Sequence, residues 1–256
     1  FWRPWFPPHT YSHVMRGLFT RDMAAAVADV ERGLQTYLGA RHVILMPSGT
    51  MAILAALQVL LPPGKGKVLL PSLICDTVPH AVLAAGKEPC FVESDPDTYS
   101  IDILSLERGM DSGAQAVIAV HQFGLACPLD RLTRLARERG VLLIEDAAQA
   151  LGADYRGRKA GTLGDVGILS FNNKVIDACG GGAVVTERED HFELLRGHRD
   201  RHFPITRWGS WRLLVRAWLA SEHPGLVSAI PRGVHAGTAP SLNRQIDIIK
   251  PLVLQR

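Results

Sequence analysis

The chain has 256 residues, 47% of them hydrophobic and 21% charged, which places it among globular proteins with room for a large core and one or two domains. A formal charge of +3 is too small to argue for a nucleic-acid partner, and no RNA- or DNA-binding signature accompanies it. No apolar run is long enough to span a bilayer. The four cysteines, Cys75, Cys90, Cys127 and Cys179, form no CxxC pair, so free thiols in a reducing cytoplasm are expected rather than zinc or a disulfide framework.

The first ten residues, FWRPWFPPHT, read as an extended arm, because proline fixes φ and lacks a donor. They contain neither an initiator Met nor a long apolar stretch, so no signal peptide is expected and the chain reads as processed or incomplete. Met23, Val27, Val30 and Leu34 recur at helical spacing, which predicts a helix over Arg21–Leu38 with Gly39 as its C-cap. A strand over His42–Met46 follows, then a Pro-Ser-Gly-Thr turn into a helix over Met51–Leu61.

Further on, strands are predicted over Lys67–Leu70, Cys90–Glu93, Ala116–Val120, Val141–Ile144, Val166–Phe171 and Ala183–Thr186. Helices are predicted over Ile74–Ala85, Ile103–Met110, Leu129–Arg139 and Asp190–Arg199. This alternation argues for an α/β fold with a mostly parallel central sheet covered by helices on both faces. Beyond it, Trp208, Trp211, Val215 and Trp218 stand close to helical spacing, interleaved with Arg207, Arg212 and Arg216. That segment reads as a helix packed in the protein or at a subunit interface in preference to one lying on a membrane. Three segments are expected: an arm over residues 1–20, a large domain over 21–200, and a helical segment over 201–256.

The stretch Val141 to Gly182 carries the chemistry. One apolar strand ends at Glu145 and Asp146; the next ends just before Lys174, which precedes Gly180-Gly181-Gly182. In open α/β sheets the ligand crevice lies beyond the carboxyl ends of the strands. A carboxylate there can bind a protonated pyridine nitrogen, and a lysine can form a Schiff base with an aldehyde. Each residue alone has an ordinary reading: Asp146 as the N-cap of a helix starting at Ala147, Lys174 as solvated surface. The Ser48-Gly49-Thr50 turn opens a helix whose free N–H groups and dipole suit a phosphate, though alone it is an ordinary strand–helix turn. His121, at the end of a strand near the crevice, reads as a satisfied structural histidine and is not a candidate.

SGTMAILAAL, PSLICDTVPHAVLAAGKEPCFVESDPDTYSID, VIAVHQFGLACPLDRL and EDAAQALGADYRGRKAGTLGDVGILSF with its following lysine and glycines stand in this order over Tyr37–Glu189. In this the chain resembles the DegT/DnrJ/EryC1/StrS family of pyridoxal-phosphate enzymes with the aminotransferase type I fold. The resemblance implies an aminotransferase that moves an amino group from an amino acid, glutamate above all, to a nucleotide-linked keto-sugar. It implies pyridoxal 5'-phosphate as cofactor and a cytoplasmic homodimer with no nucleic-acid or membrane partner. Lys174 would be the Schiff-base and proton-carrying lysine and Asp146 the partner of the pyridine nitrogen; Gln149, three residues and so one helical turn after Asp146, would hydrogen-bond near the ring oxygen. Gly49, Thr50 and Ser170 would hold the phosphate, and Asn243 is matched to an asparagine reaching the phosphate of the other subunit.

Three departures from the family pattern stand out. The interval from Ser170 to Lys174 is one residue short, with Asn172 and Asn173 inside it. Cys75 stands where the family puts an aromatic that stacks on the pyridine. The family also continues beyond this chain's end into a small domain that helps to close a site at the dimer interface, so the C-terminal domain reads as largely absent. The chain alone is then expected to bind cofactor but turn over poorly. Two alternatives remain: a degenerate, non-catalytic member that binds or pairs with a partner, and a sugar dehydratase, in which a histidine replaces the lysine and against which Lys174 argues.

Overall fold

A computed structural model describes residues 22–172, 174–175 and 180–204. The arm, the tryptophan-bearing segment, Cys179, Asn243 and everything beyond residue 204 lie outside the described residues. The elements follow in alternation: α1 (Met23–Leu38), β1 (His42–Met46), α2 (Gly49–Leu60), β2 (Lys67–Pro71), α3 (Thr77–Ala84), β3 (Glu88–Val92), α4 (Ile103–Met110) and β4 (Ala114–Val120). After a single 3-10 turn at Gln122–Gly124 come α5 (Leu129–Arg139), β5 (Leu142–Asp146), β6 (Asp154–Tyr155), β7 (Arg158–Lys159), β8 (Val166–Ser170), β9 (Gly182–Thr186) and α6 (Glu189–His202).

Seven strands form one sheet in the order β1-β9-β8-β5-β4-β2-β3. β3, β2, β4, β5 and β8 pair in parallel, whereas β9 is antiparallel to both of its neighbours, β8 and β1. The mostly parallel sheet expected from the sequence is therefore present, with one strand reversed. That reversal brings the start of β9 to the edge where β1 and β8 end, pairing Gly182 with both Met46 and Ser170.

Side chains alternate between the two faces, as the period of two demands. Ile44, Val68, Leu70, Ile118, Ile144, Ile168 and Val184 pack with α2, α3 and α6. On the other face Leu69, Val117, Ala119 and Leu143 pack with α4 and α5, and Val43, Leu169 and Val185 lie beneath α1. Being buried on both faces, the central strands read as continuous apolar runs, and each fully buried Leu or Ile contributes about 1.5–3 kcal/mol.

Helix ends follow local chemistry. The side chain of Asp22 accepts from Ala25 N–H at the start of α1, and Gly39 closes that helix in the left-handed conformation. Asp102 caps α4 in the same way, and Gly140 ends α5. One expected element does not form. No helix starts at Ala147; residues 147–152 make turns, and the short β6–β7 hairpin follows. Asp146 therefore caps no helix, and the ordinary reading of this residue falls.

Candidate active site

The carboxyl ends of β1, β5 and β8 lie along one edge of the sheet, and the candidate residues gather there. At β1 the chain turns through Ser48 into α2, and the Ser48 hydroxyl accepts from Met51 N–H at 3.1 Å. That cap leaves the N–H groups of Gly49 and Thr50 at the open end of a 12-residue helix, where the helix dipole favours an anion.

Ser170, the last residue of β8, stands against this end. A Cβ built on Gly49 would lie 3.1 Å from the Ser170 Cβ and 3.5 Å from its hydroxyl. Gly182 closes the third side: a Cβ there would lie 2.5 Å from Gly49 N and 2.6 Å from Leu169 O. Gly181, at φ 93°, accepts from Phe171 N–H at 3.0 Å and donates to Pro47 O at 3.1 Å. The glycine run thus seats the backbone of β9 against the N-terminus of α2, an approach that a side chain would block.

Asp146 ends β5 and is almost wholly buried. One carboxylate oxygen accepts from Ala148 N–H at 3.0 Å, and no other hydrogen-bond donor reaches the carboxylate among the described residues. Burial pushes the Asp146 carboxyl up; the Ala148 N–H, His121 and the charge of Lys174 oppose this without cancelling it. Lys174 is exposed, and its charge acts on Asp146.

Gln149 is half-buried in the turn after β5, and not one helical turn on from Asp146 as the sequence suggested. Its Oε1 accepts from Phe123 N–H at 3.2 Å, and its Nε2 donates to Gln122 Oε1 at 3.3 Å. Cys75 is exposed just before α3, with its sulfur 3.3 Å from the Thr77 hydroxyl.

Behind this edge lies a pair that the sequence reading passed over. Glu145 and His121 have side chains at 0% exposure, with Nε2 and Oε1 2.9 Å apart. The other ring nitrogen, Nδ1, accepts from Cys127 N–H at 3.0 Å, so Nε2 carries the proton shared with Glu145. Glu145 also accepts from Gly161, Leu163 and Gly164 N–H at 2.8, 2.8 and 2.9 Å. Burial pushes the Glu145 carboxyl up, but His121 and the backbone donors outweigh it, and the net displacement is downward. A signal was available: an acid on an apolar strand must find partners, and His121 ends the adjacent strand. Reading His121 as a satisfied structural histidine was right as far as it went.

The residues present fit pyridoxal phosphate. The Gly49–Ser170–Gly182 cradle suits its phosphate, and the under-satisfied Asp146 carboxylate suits a protonated ring nitrogen. Among the described residues no helix is long and apolar enough to cross a membrane, and no group of three or more His, Cys, Asp or Glu could hold a metal.

The mostly parallel sheet with helices on both faces is the fold of the type I aminotransferases. A solved structure, DesI in the presence of its TDP-sugar product, superposes with a TM-score of 0.70 at 28% identity, covering 82% of this chain and 57% of that one. Residues 11–203 match the DegT/DnrJ/EryC1/StrS aminotransferase family, and the chain belongs to it. It is 36% identical over 189 residues to GDP-perosamine synthase of Caulobacter vibrioides, covering 70% of this chain and 51% of that protein. It is also 36% identical over 177 residues to a UDP-N-acetyl-3-dehydro-alpha-D-glucosamine 3-aminotransferase of Acidithiobacillus ferrooxidans, covering 68% and 46%. The chain therefore spans about half the length of these curated relatives.

Proposed function

We propose that residues 21–200 are the cofactor-binding domain of a pyridoxal-phosphate-dependent aminotransferase. It takes the amino group of an amino acid, with glutamate as the donor, and passes it to a keto-sugar carried on a nucleotide. The observation that carries this reading is Asp146: a buried carboxylate with one hydrogen-bond donor among the described residues, at a strand end, within range of the Lys174 charge and on the same edge as the cradle at Gly49. The relatives named above, acting on GDP- and UDP-linked sugars, support the substrate class.

The roles follow from chemistry. Bound pyridoxal phosphate supplies an electron sink that lets a proton leave the carbon bearing the amino group. Asp146 would keep the pyridine nitrogen protonated. Lys174 Nζ would hold the group and carry a proton. Gly49 and Thr50 N–H and the Ser170 hydroxyl would bind the phosphate, and Gln149 Nε2 would donate to the ring oxygen.

A homodimer is part of the proposal. Leu73, Tyr99, Phe123 and Leu125 are all exposed large hydrophobics. Tyr99 and Phe123 pack edge to face, and Leu73 O is tied to the 3-10 turn by Gln122, so they gather near the crevice as an apolar surface suited to a second subunit. Cys75, Cys90 and Cys127 are free thiols, in keeping with a reducing cytoplasm.

A second reading, a member that binds cofactor or a partner without turning over, is favoured by Cys75, which offers no aromatic face to the ring. Titration with pyridoxal phosphate, followed by glutamate in a single-turnover absorbance experiment, separates the two. A visible band that glutamate converts supports the aminotransferase. A band that glutamate leaves unchanged, or no band at saturating cofactor, supports the second reading and overturns the first.

A further inference from the structure

The buried Glu145–His121 pair lies on no path of the chemistry above, yet it anchors the start of the turn whose next two residues hydrogen-bond to Gln149. Glu145 fixes the His121 ring at Nε2, Cys127 N–H fixes it at Nδ1, and His121 N–H donates to Asp146 O at 3.0 Å. His121 is followed by Gln122 and Phe123, the two residues that hold the Gln149 amide. Gln122 is itself anchored at its other end, its Nε2 donating to Leu73 O at 2.6 Å.

The amide has two ends, and these partners decide which way it lies. Phe123 N–H requires an oxygen opposite it, and Gln122 Oε1 requires a donor. With Oε1 and one N–H of Nε2 so assigned, one N–H of Gln149 remains. A flipped amide would set Nε2 against Phe123 N–H and Oε1 against Gln122 Oε1, two repulsive contacts. The arrangement therefore presents a donor rather than an acceptor from Gln149, the polarity that an electron-rich ring oxygen needs.

We propose that Glu145, His121 and Gln122 are positioning residues that set the orientation of the Gln149 amide. The proposal rests on the reading of Gln149 as a cofactor-binding residue. Gln122 is the last link, and Glu145 with His121 is the buried anchor that holds the turn carrying it. None of the three needs to touch the cofactor.

The test is a double-mutant cycle on pyridoxal phosphate affinity, read by absorbance titration of the parent, Gln122→Met, Gln149→Leu and the double variant. Losing one oriented hydrogen bond should weaken binding about five- to tenfold in each single variant. The double variant should bind no more weakly than Gln149→Leu alone, because both changes remove the same interaction. His121→Asn should behave like Gln122→Met in the same cycle. If His121→Asn fails to fold by circular dichroism, Gln122→Met carries the test, since it leaves the buried pair intact.

A second readout is independent of the cofactor. In the cofactor-free protein the side-chain amide resonances of Gln149 should move in Gln122→Met. A merely structural role would lower the thermal midpoint while the two effects on affinity multiply in the double variant, and that result overturns the proposal. Unchanged affinity in Gln122→Met, or an unmoved Gln149 amide, overturns it as well. Unchanged affinity in Gln149→Leu overturns the reading of Gln149 and the proposal with it, and it is told apart by the single variant alone.

Discussion

Glu145 and Asp146 are neighbours on β5, both carboxylates and both buried, and the fold treats them in opposite ways. Glu145 points to the α4–α5 face, where His121 and three backbone N–H groups fill its acceptor positions. Asp146 ends the strand, and Ala148 N–H is its one donor among the described residues. Burial acts on both, yet the Glu145 carboxyl ends below its ordinary value and the Asp146 carboxyl above it. The difference is the supply of donors. A buried carboxylate whose acceptor sites are all filled belongs to the scaffold. One left with capacity to spare is a cost to the fold that a ligand can relieve.

The largest effect that would break this contrast is chemical. Asp146→Asn should leave the fold and part of the cofactor affinity intact, yet slow the reaction with an amino donor by about 100-fold or more, within the usual range for proton-holding groups. Single-turnover absorbance measures it. A parent rate in Asp146→Asn would return Asp146 to the scaffold class. Glu145→Gln, its counterpart, should act first on stability. It confronts the Leu163 and Gly164 N–H groups with a donor and removes the charge facing His121, so a loss of about 3–5 kcal/mol is expected in urea unfolding, the usual cost of breaking a buried pair.

The signs with pH are opposite too. Glu145 is depressed, so its contribution is present above the unfolded value of about 4.3 and is lost as pH falls through the folded value. Asp146 is raised, so its burial costs stability at neutral pH and ceases to cost it below about pH 4, where folded and unfolded forms are both protonated. Asp146→Asn should therefore stabilise the cofactor-free protein at pH 7 by about 0.5–2 kcal/mol, with the gain fading as pH falls toward 4. A loss of stability in Asp146→Asn at pH 7 would contradict the account. The smallest effect is at Cys75. An aromatic contact is worth roughly 0.5–1.5 kcal/mol, so Cys75→Phe should tighten pyridoxal phosphate binding by up to about tenfold. Weaker binding in that variant would mean that the ring is faced by another group.

Much of this was legible in the residues. Strands buried on both faces announce themselves as apolar runs, and helices such as Leu129–Arg139 and Ile103–Met110 fall where period and caps put them. The crevice residues were legible through spacing along the chain and through family resemblance. What stayed hidden depends on contacts between strands. The reversal of β9 is a matter of pairing partner, which an apolar run of five residues does not encode. After Asp146 the chain makes turns where a helix was expected, and Ala147 N–H continues the β5–β8 pairing by donating to Ile168 O, a contact that local sequence does not encode. The Glu145–His121 pair joins residues 24 apart in sequence, and only the parallel pairing of β4 with β5 brings them together. The partners of Gln149 on the Gln122–Phe123 turn were not visible from its position after Asp146.

The central claim is that Lys174 and Asp146 form the reactive end of a pyridoxal phosphate site. The direct measurement is borohydride reduction of the protein saturated with pyridoxal phosphate, followed by peptide mass mapping. The account predicts a pyridoxyl group on Lys174, formed in the parent and lost in Lys174→Ala. A label on Lys159 or another lysine with Lys174 unmodified would contradict it.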